Sequence, residues 1–305
     1  MPEKTKSIWT DGKIVAWDDA RVHVLSQGLH YGAGVFEGVR CYAAAEGPAV
    51  FRLDDHVRRF FQSANALGLR LPYNLAQLNA AVLDTVRDNG LSECYVRPLA
   101  FGGNGGFDLT VRHVPVHVVV ALWPWKDYLG ADKLERGIRA NVSPYLRPDA
   151  RATPTAAKLT GHYVNSILAK QDALDGGYDE AIQLDAHGHV LEASSENIFL
   201  VKKGVLCTPP PAGILDGITR QTVMQLARDM GVDVKEESFG PDALYGADEV
   251  FLTGTAAEVV AVREVSGHGI GSGRRGPLTH RLQTAYAAVV RGRNDKYASW
   301  LTYLD

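Results

Sequence analysis

Lys158 is the side chain whose surroundings most suggest chemistry. It lies in PTAAKLTG (154–161), among small residues and after two prolines, Pro148 and Pro154. A lysine set among alanines points into a confined space, where loss of water lowers the amine pKa and makes it a nucleophile toward carbonyl carbon. The plain alternative is a surface lysine at a strand end. A second polar group follows in EASSENIF (192–199), then Leu206-Cys-Thr208, a proline-rich loop, and LDGITR (215–220) opening a helix. Other matches are weak. Gly271 to Gly276 fits GxGxxG, yet Pro277 follows and no acidic residue closes a second strand about 20 positions on. GGNGG (102–106) lacks the Lys-Ser/Thr of a phosphate loop. His187 and His189 lie at a hairpin turn with no third ligand nearby, so no metal site is expected.

These residues sit in a chain of 305 amino acids, enough for two domains at about 150 residues each. It is 46% apolar and 22% charged, ordinary values for a globular protein. With 32 basic and 35 acidic residues the formal charge is −3, which excludes the dense positive field of a non-specific nucleic-acid binder. Cys41, Cys94 and Cys207 form no CxxC pair, which argues against a disulfide framework and fits a reducing cytoplasm. The polar start MPEKTKSIWTDG carries no apolar signal core. The longest apolar stretch, Val114 to Trp125, is interrupted by His117 and Pro124. It falls short of the ~20 residues that span a bilayer, so it reads as a buried strand and no membrane association is expected.

KIVAW (13–17), RVHVL (21–25) and AVFRL (49–53) read as strands. Asp54 is the expected cap of a helix closed by Gly68, with Val57, Phe60, Phe61, Ala64 and Leu67 on one buried face. A second helix runs from Asn74 to Gly90, and the strands CYVRPLAF and VPVHVVVAL flank GGNGG. Beyond residue 135 the pattern predicts a strand in GIRANVSPY, a helix over about 162–175, and a meander through residues 180–208. Thr219 is expected to begin a helix closed by Gly231, followed by the strand DEVFLTG and the helix THRLQTAYAAVVRG. The expected organisation is a smaller N-terminal domain over 1–122, an interdomain loop over 123–135, and a larger domain over 136–305, in an α/β (α+β) class.

The elements E-x-S-x-x-N-I-F, Thr208 after a short spacer, and L-x-G-I-x-R, placed after Lys158, resemble the class IV aminotransferases. These are pyridoxal 5′-phosphate (PLP) enzymes of fold type IV, the D-amino-acid-aminotransferase-like fold. The resemblance extends from about residue 8 to about 301 and implies that Lys158 forms the Schiff base with the cofactor. It implies that the cofactor phosphate sits at Ile218, Thr219 and Thr255, at a helix start whose N–H groups and dipole favour an anion. Arg59 resembles the phosphate arginine, reaching across from the first half. Glu192 resembles the acid that keeps the pyridine nitrogen protonated, Tyr163 the tyrosine on the ring oxygen, and Ser195 a further cofactor contact. HYGAGVFEGVRCY (30–42), CYVRP (94–98), WPWKDYLGA (123–131) and TGTAAE (253–258) are similar to the L-branched-chain group within that family.

The implied pocket has an aromatic wall of Tyr31, Phe36, Tyr95, Trp125, Tyr128 and Tyr163. Arg97 with tyrosine hydroxyls meets the distal carboxylate of glutamate, Arg40 belongs to the group's substrate-binding pattern, and Thr255 and Ala256 hold the substrate α-carboxylate. Tyr31 and the residue near Leu109 are implied to enter from a neighbouring subunit, making a homodimer obligatory, with a trimer of dimers left open. The GGNGGFDLTVRH segment (102–113) departs from the group's loop, and Thr160 and His162 stand where many relatives have glycine and asparagine. The implied reaction is transamination of leucine, isoleucine and valine with 2-oxoglutarate. Alternatives are a D-amino-acid or amine transaminase, an aminodeoxychorismate lyase, or a Schiff-base lysine protein without PLP.

Overall fold

The computed structural model describes residues 3–106, 108–125 and 130–304, with side chains from residue 133 in the last stretch. Backbone contacts divide the chain into two units, Met1–Lys126 with Ala157–Gly161 and Ala288–Asp305, and Asp127–Ala156 with His162–Ala287. The Lys158 segment therefore belongs to the first unit, although the residues on both sides of it belong to the second.

The first unit contains β1 (Ser7–Thr10), β2 (Lys13–Ala16), α1 (Gln27–Tyr31), β3 (Gly34–Phe36), β4 (Val39–Ala44), β5 (Gly47–Phe51), α2 (Leu53–Leu67), α3 (Leu75–Asn89), β6 (Cys94–Gly102) and β7 (Val116–Pro124). The strand Leu301–Tyr303 pairs with β5 at one edge, and the order continues β5-β4-β6-β7-β1-β2. One edge of β6 pairs along its length with β7, while the other is shared by β4 and β3. Side chains alternate across a strand. Val39, Cys41, Cys94, Val96, Val120 and Leu122 accordingly join α2 and α3 in one core, which leaves Arg40, Tyr95, Arg97 and Trp123 on the opposite face. Cys41 and Cys94 are direct cross-strand neighbours, buried and unbridged.

Asn74 caps α3 with a reciprocal bond to Gln77, and α2 and α3 end at Gly68 and Gly90 in left-handed geometry, which glycine adopts without steric cost. Two expectations are corrected. The cap of α2 is Arg52, itself left-handed at φ 49°, and Asp54 lies inside the first turn, where a carboxylate favours the helix dipole. Residues 21–25 form no strand: Val22, Val24 and Leu25 stay exposed and the backbone turns at 24–25. Alternation alone does not make a strand where no neighbouring ladder accepts its backbone groups.

The second unit contains α4 (Gly130–Arg136), β8 (Ile138–Val142), α5 (Tyr163–Asp175), β9 (Glu180–Leu184), β10 (Val190–Ala193), β11 (Asn197–Lys202), β12 (Val205–Thr208), α6 (Ile218–Asp229), β13 (Val234–Glu236), α7 (Pro241–Tyr245), β14 (Glu249–Gly254), β15 (Glu258–Val265) and α8 (Pro277–Val290). The last turn of α8 belongs to the first unit. Strand order is β10-β9-β8-β15-β14-β11-β12-β13. An added pair, Glu192 opposite Asn197, joins β10 to β11 and closes six strands on themselves. Ile182, Val190, Ile198, Leu200, Val250, Leu252, Val260 and Val262 pack in its core. This is the two-unit α+β architecture expected. Among the described residues no helix is long and apolar enough to cross a membrane.

Candidate active site

In the first unit the backbone of Lys158 is held from two sides. Its N–H donates to Ser63 Oγ at 2.9 Å, and its carbonyl accepts from the Phe36 N–H at 3.1 Å. Leu159 forms an isolated antiparallel bridge with Val35. Thr160 completes the attachment, with Oγ1 2.8 Å from the Gly32 carbonyl and 3.1 Å from that of Gly34. The segment is thus a short tie on β3 and α2, and the half-buried lysine places Nζ 4.8 Å from the centre of the Phe36 ring.

Arg59 stands one helical turn from Ser63 on α2, on the same face. Its guanidinium grips Glu37 at two points, Nε to Oε1 at 2.7 Å and Nη2 to Oε2 at 2.9 Å. His56 Nδ1 lies 2.8 Å from the same Oε2. Burial alone would push the Glu37 carboxyl up, but Arg59 and His56 outweigh it and hold it well below the usual carboxylate range. Burial pulls His56 down, against the attraction of Glu37. A two-pronged Arg–carboxylate pair fixes the plane of the guanidinium as well as its place. Neither His56 nor this use of Glu37 was read from the sequence. The trace that could have found it is an acid inside the apolar run VFEGV.

On the sheet face away from α2 and α3, Tyr95 stacks on Trp123 with ring centres 5.1 Å apart and 24° between planes, and Trp125 lies 5.1 Å from Tyr95 at 40°. A Cβ at Gly38 would collide with the Tyr95 hydroxyl, so the glycine lets that ring lie flat on the sheet. Arg97 projects among the rings of Phe36, Tyr95 and Trp123. Arg40 is buried over the Tyr42 ring, with Nη2 3.3 Å from Glu93 Oε1, a carboxylate it shares with Arg291. Tyr128 lies outside the described residues. Tyr31 is 46% exposed and Leu109 is 88% exposed. Both line a cavity of about 1240 Å³ beside the end of α2, and Lys158 is not among its lining residues.

In the second unit, Gln183, Glu192, Asn197 and Thr253 lie opposite one another in turn on β9, β10, β11 and β14. All four are buried, a polar row in an otherwise apolar sheet. Glu192 Oε1 is 2.6 Å from Arg147 Nη2, and Oε2 accepts from Asn197 Nδ2 at 3.1 Å and the Leu215 N–H at 3.2 Å. Gln183 Oε1, Thr253 Oγ1 and Arg147 Nε are buried with no hydrogen-bond partner among the described residues. Buried polar atoms left unpaired are costly, and in native proteins they cluster where something else is bound. Arg147, which the sequence reading passed over in an irregular stretch, is the direct partner of Glu192.

Asn197 also positions the start of α6, where its Oδ1 occupies the space a Cβ on Gly217 would need. Gly217 caps α6 without a side-chain acceptor, and Ile218 and Thr219 open the helix, both buried. Arg220, fully buried, ties Asp216, Glu236, the Pro209 carbonyl and Thr208 together. Asp216, the acid nearest the helix start, is thereby held by a cation. The threonine, asparagine, glycine and arginine of the sequence pattern thus build the frame of this helix start. Thr255 and Ala256 form the β14–β15 turn, which closes on Glu258 at φ 57°. Tyr163 begins α5, one residue after His162, whose Nε2 lies 2.5 Å from Thr153 Oγ1. Ser195 is exposed at the β10–β11 turn, with Oγ donating to Glu196 Oε1 at 2.8 Å. Burial, reinforced by Glu180, pushes the Glu196 carboxyl up to about 8.

Residues 34–265 match the family model described as amino-transferase class IV. The chain is 45% identical over 302 residues to a branched-chain-amino-acid aminotransferase of Pseudomonas aeruginosa, covering 99% of this chain and 98% of the relative. It is 42% identical over 301 residues to the enzyme of that name from Escherichia coli K12, with coverage of 98% and 97%. A solved T.th. branched-chain amino acid aminotransferase with pyridoxamine 5′-phosphate superposes with a TM-score of 0.96 at 44% identity, over 99% of both chains. The same enzyme complexed with N-(5′-phosphopyridoxyl)-L-glutamate superposes with a TM-score of 0.94 at 43% identity, again over 99% of both.

Proposed function

The chain belongs to the class IV aminotransferase family, and from that membership we propose that it transfers the amino group of branched-chain L-amino acids to 2-oxoglutarate, giving branched-chain 2-oxo acids and glutamate. Its cofactor is pyridoxal 5′-phosphate, which supplies an aldehyde to amines and a protonated ring that takes up the electron pair left at the substrate Cα. The donor set suits that group: an amine on a pinned backbone, an arginine fixed in one plane, a helix start framed by glycine and asparagine, and a buried ion-paired carboxylate beside unpaired polar atoms.

Lys158 would be the covalent anchor, and its Nζ would act as the general base that takes the proton from the substrate Cα. Glu192, ion-paired with Arg147 and hydrogen-bonded by Asn197, would face the ring nitrogen. Arg59, Ile218, Thr219 and Thr255 hold the phosphate, Tyr163 the ring oxygen, and Ser195 adds a contact through its turn. Phe36, Tyr31, Tyr95, Trp125 and Tyr128 bound the apolar side chain, with Arg40 behind Tyr95. Thr255 and Ala256 offer N–H groups to the α-carboxylate, and Arg97 receives the distal carboxylate of the acidic partner. The observation that carries this reading is the two-sided grip on Lys158, one turn of α2 from Arg59. Amino donor and oxo acceptor take turns in the same set of residues, so the kinetics are ping-pong.

The exposed apolar residues Val24, Leu29, Tyr31 and Leu109 of the first unit, and Val164 and Ile167 on α5, support a homodimer in which Tyr31 and Leu109 serve the neighbouring subunit. A cytoplasmic location fits the three free buried cysteines. In the test, purified protein is assayed with L-leucine and with D-alanine against 2-oxoglutarate. The expected result is turnover of L-leucine and a visible absorption band bleached by borohydride. Lys158→Ala is expected to abolish both activity and the borohydride-fixed adduct. Turnover of D-alanine alone, or activity without PLP, would overturn the reading.

A further inference from the structure

We infer that Trp123 is a positioning residue that holds the Arg97 guanidinium ready for a second carboxylate, and so sets the preference for dicarboxylic over apolar substrates. The inference rests on the proposed acidic co-substrate and adds to it a residue outside the expected site.

Arg97 is unusual among the cations of its sheet. Its Cζ lies 4.7 Å from the Phe36 ring centre, 5.3 Å from Tyr95 and 5.6 Å from Trp123. Among the described residues no carboxylate comes within ion-pair distance of it. Its Nε is buried without a hydrogen bond, and Nη2 has only a 3.5 Å approach to the Tyr95 hydroxyl. Arg40, on the same face, is matched instead to Glu93. Arg40 already has a carboxylate beside it, whereas Arg97, held by π faces, has no resident carboxylate to compete with an incoming anion.

Strand register makes Trp123 the residue that can do this. It lies directly opposite Tyr95 and diagonal to Arg97, whose own opposite neighbour, Ala121, is too small to fill the space. The indole therefore covers Arg97 from the side and stacks on Tyr95, and it fixes both with one side chain. Aromatic rings reach diagonal neighbours on a sheet face, so the contact follows from the pairing and the side-chain size.

The test compares wild type, Trp123→Leu and Trp123→Phe as PLP-loaded protein. Calorimetry measures binding of two non-reacting probes, glutarate (two carboxylates) and 4-methylvalerate (one carboxylate on an apolar chain), alongside KM and kcat for 2-oxoglutarate and L-leucine. The expected result for Trp123→Leu is glutarate binding and the KM for 2-oxoglutarate weakened about 3- to 30-fold. 4-Methylvalerate binding and the KM for L-leucine, which Trp123 reaches only through Tyr95, should weaken clearly less than glutarate binding, with the kcat for L-leucine within about twofold. Trp123→Phe should restore most of the loss. Equal weakening of both probes, or none in either, overturns the inference, and so does failure of Phe to rescue while thermal unfolding is unchanged. If Trp123→Leu does not fold, Trp123→Phe against wild type carries the comparison, with a smaller but still selective glutarate effect expected. The probes need no turnover, so a failure of the proposed reaction appears as absent L-leucine activity and remains distinct from the probe result.

Discussion

In the first unit, Arg40 and Arg97 share strands with core residues and stand on the opposite face, whereas in the second a row of polar side chains, one of them charged, runs across a ring of strands and is buried throughout. The first arrangement follows from simple alternation along β4, β6 and β7. The second needs four strands in register, with Gln183, Glu192, Asn197 and Thr253 meeting only when β10 closes on β11. Each unit also contains a carboxylate matched to an arginine, Glu37 with Arg59 and Glu192 with Arg147. Arg97 departs from both patterns because its neighbours are rings. The lesson is that the charged groups proposed to hold the cofactor are fixed in place by counter-charges, while the one proposed to meet a distal carboxylate is held by rings.

The largest effect expected from breaking this comparison is at Glu37. Glu37→Ala removes the carboxylate that Arg59 and the buried His56 share and should cost about 3–5 kcal/mol, read from denaturant unfolding, with weaker cofactor binding. The carboxyl is depressed in the folded state, so its stabilisation is present above the ordinary carboxylate pKa and is lost as pH falls through the folded value. The variant should therefore lose part of the acid sensitivity of wild type, and an unchanged acid-unfolding curve would break the pairing argument.

A smaller, pH-dependent effect is expected at Glu196, which faces Glu180, Ser195 and, through Glu180, Lys170. Its folded pKa, raised to about 8, makes the folded state hold a proton that the unfolded chain releases near the ordinary value, so stability falls as pH rises between the two. Glu196→Gln should raise Tm by only about 1 °C at pH 5 and by several degrees at pH 8, levelling off above that. A gain independent of pH would point to packing instead of charge. The smallest effect is expected at Thr160. Thr160→Gly removes the bond to the Gly32 carbonyl and frees the backbone, for about 1–2 kcal/mol. The loss should appear more in cofactor retention than in overall unfolding if the segment's purpose is to hold Lys158.

Much of the frame was legible in local pattern. The caps at Asn74, Gly68 and Gly90 and the strands on either side of GGNGG are all short-range signals, and the α6 start came within one residue, Ile218 opening the helix expected from Thr219. The helical face of α2 was read from period alone, and that face carries the core. What escaped was long-range or lacked a partner. Glu37 and Arg59 are 22 residues apart, and no spacing rule links a residue between β3 and β4 to a helix residue at that distance. Arg147 lies in an irregular stretch where pattern has nothing to say. Trp123 was passed over because its use depends on register with β6. RVHVL misled in the opposite sense, since its alternation was real but its ladder was missing.

The interleaving of the two units along the chain bears on biogenesis. A ribosome that has delivered residues 1–126 has not yet delivered the first unit, because the tie at Ala157–Gly161 and the strand Leu301–Tyr303 are still to come. Until they arrive, β5 presents an open edge to other nascent chains. Lys158 enters its unit only after an excursion through part of the other, so truncations made at the apparent midpoint should yield aggregation-prone fragments in place of separable domains.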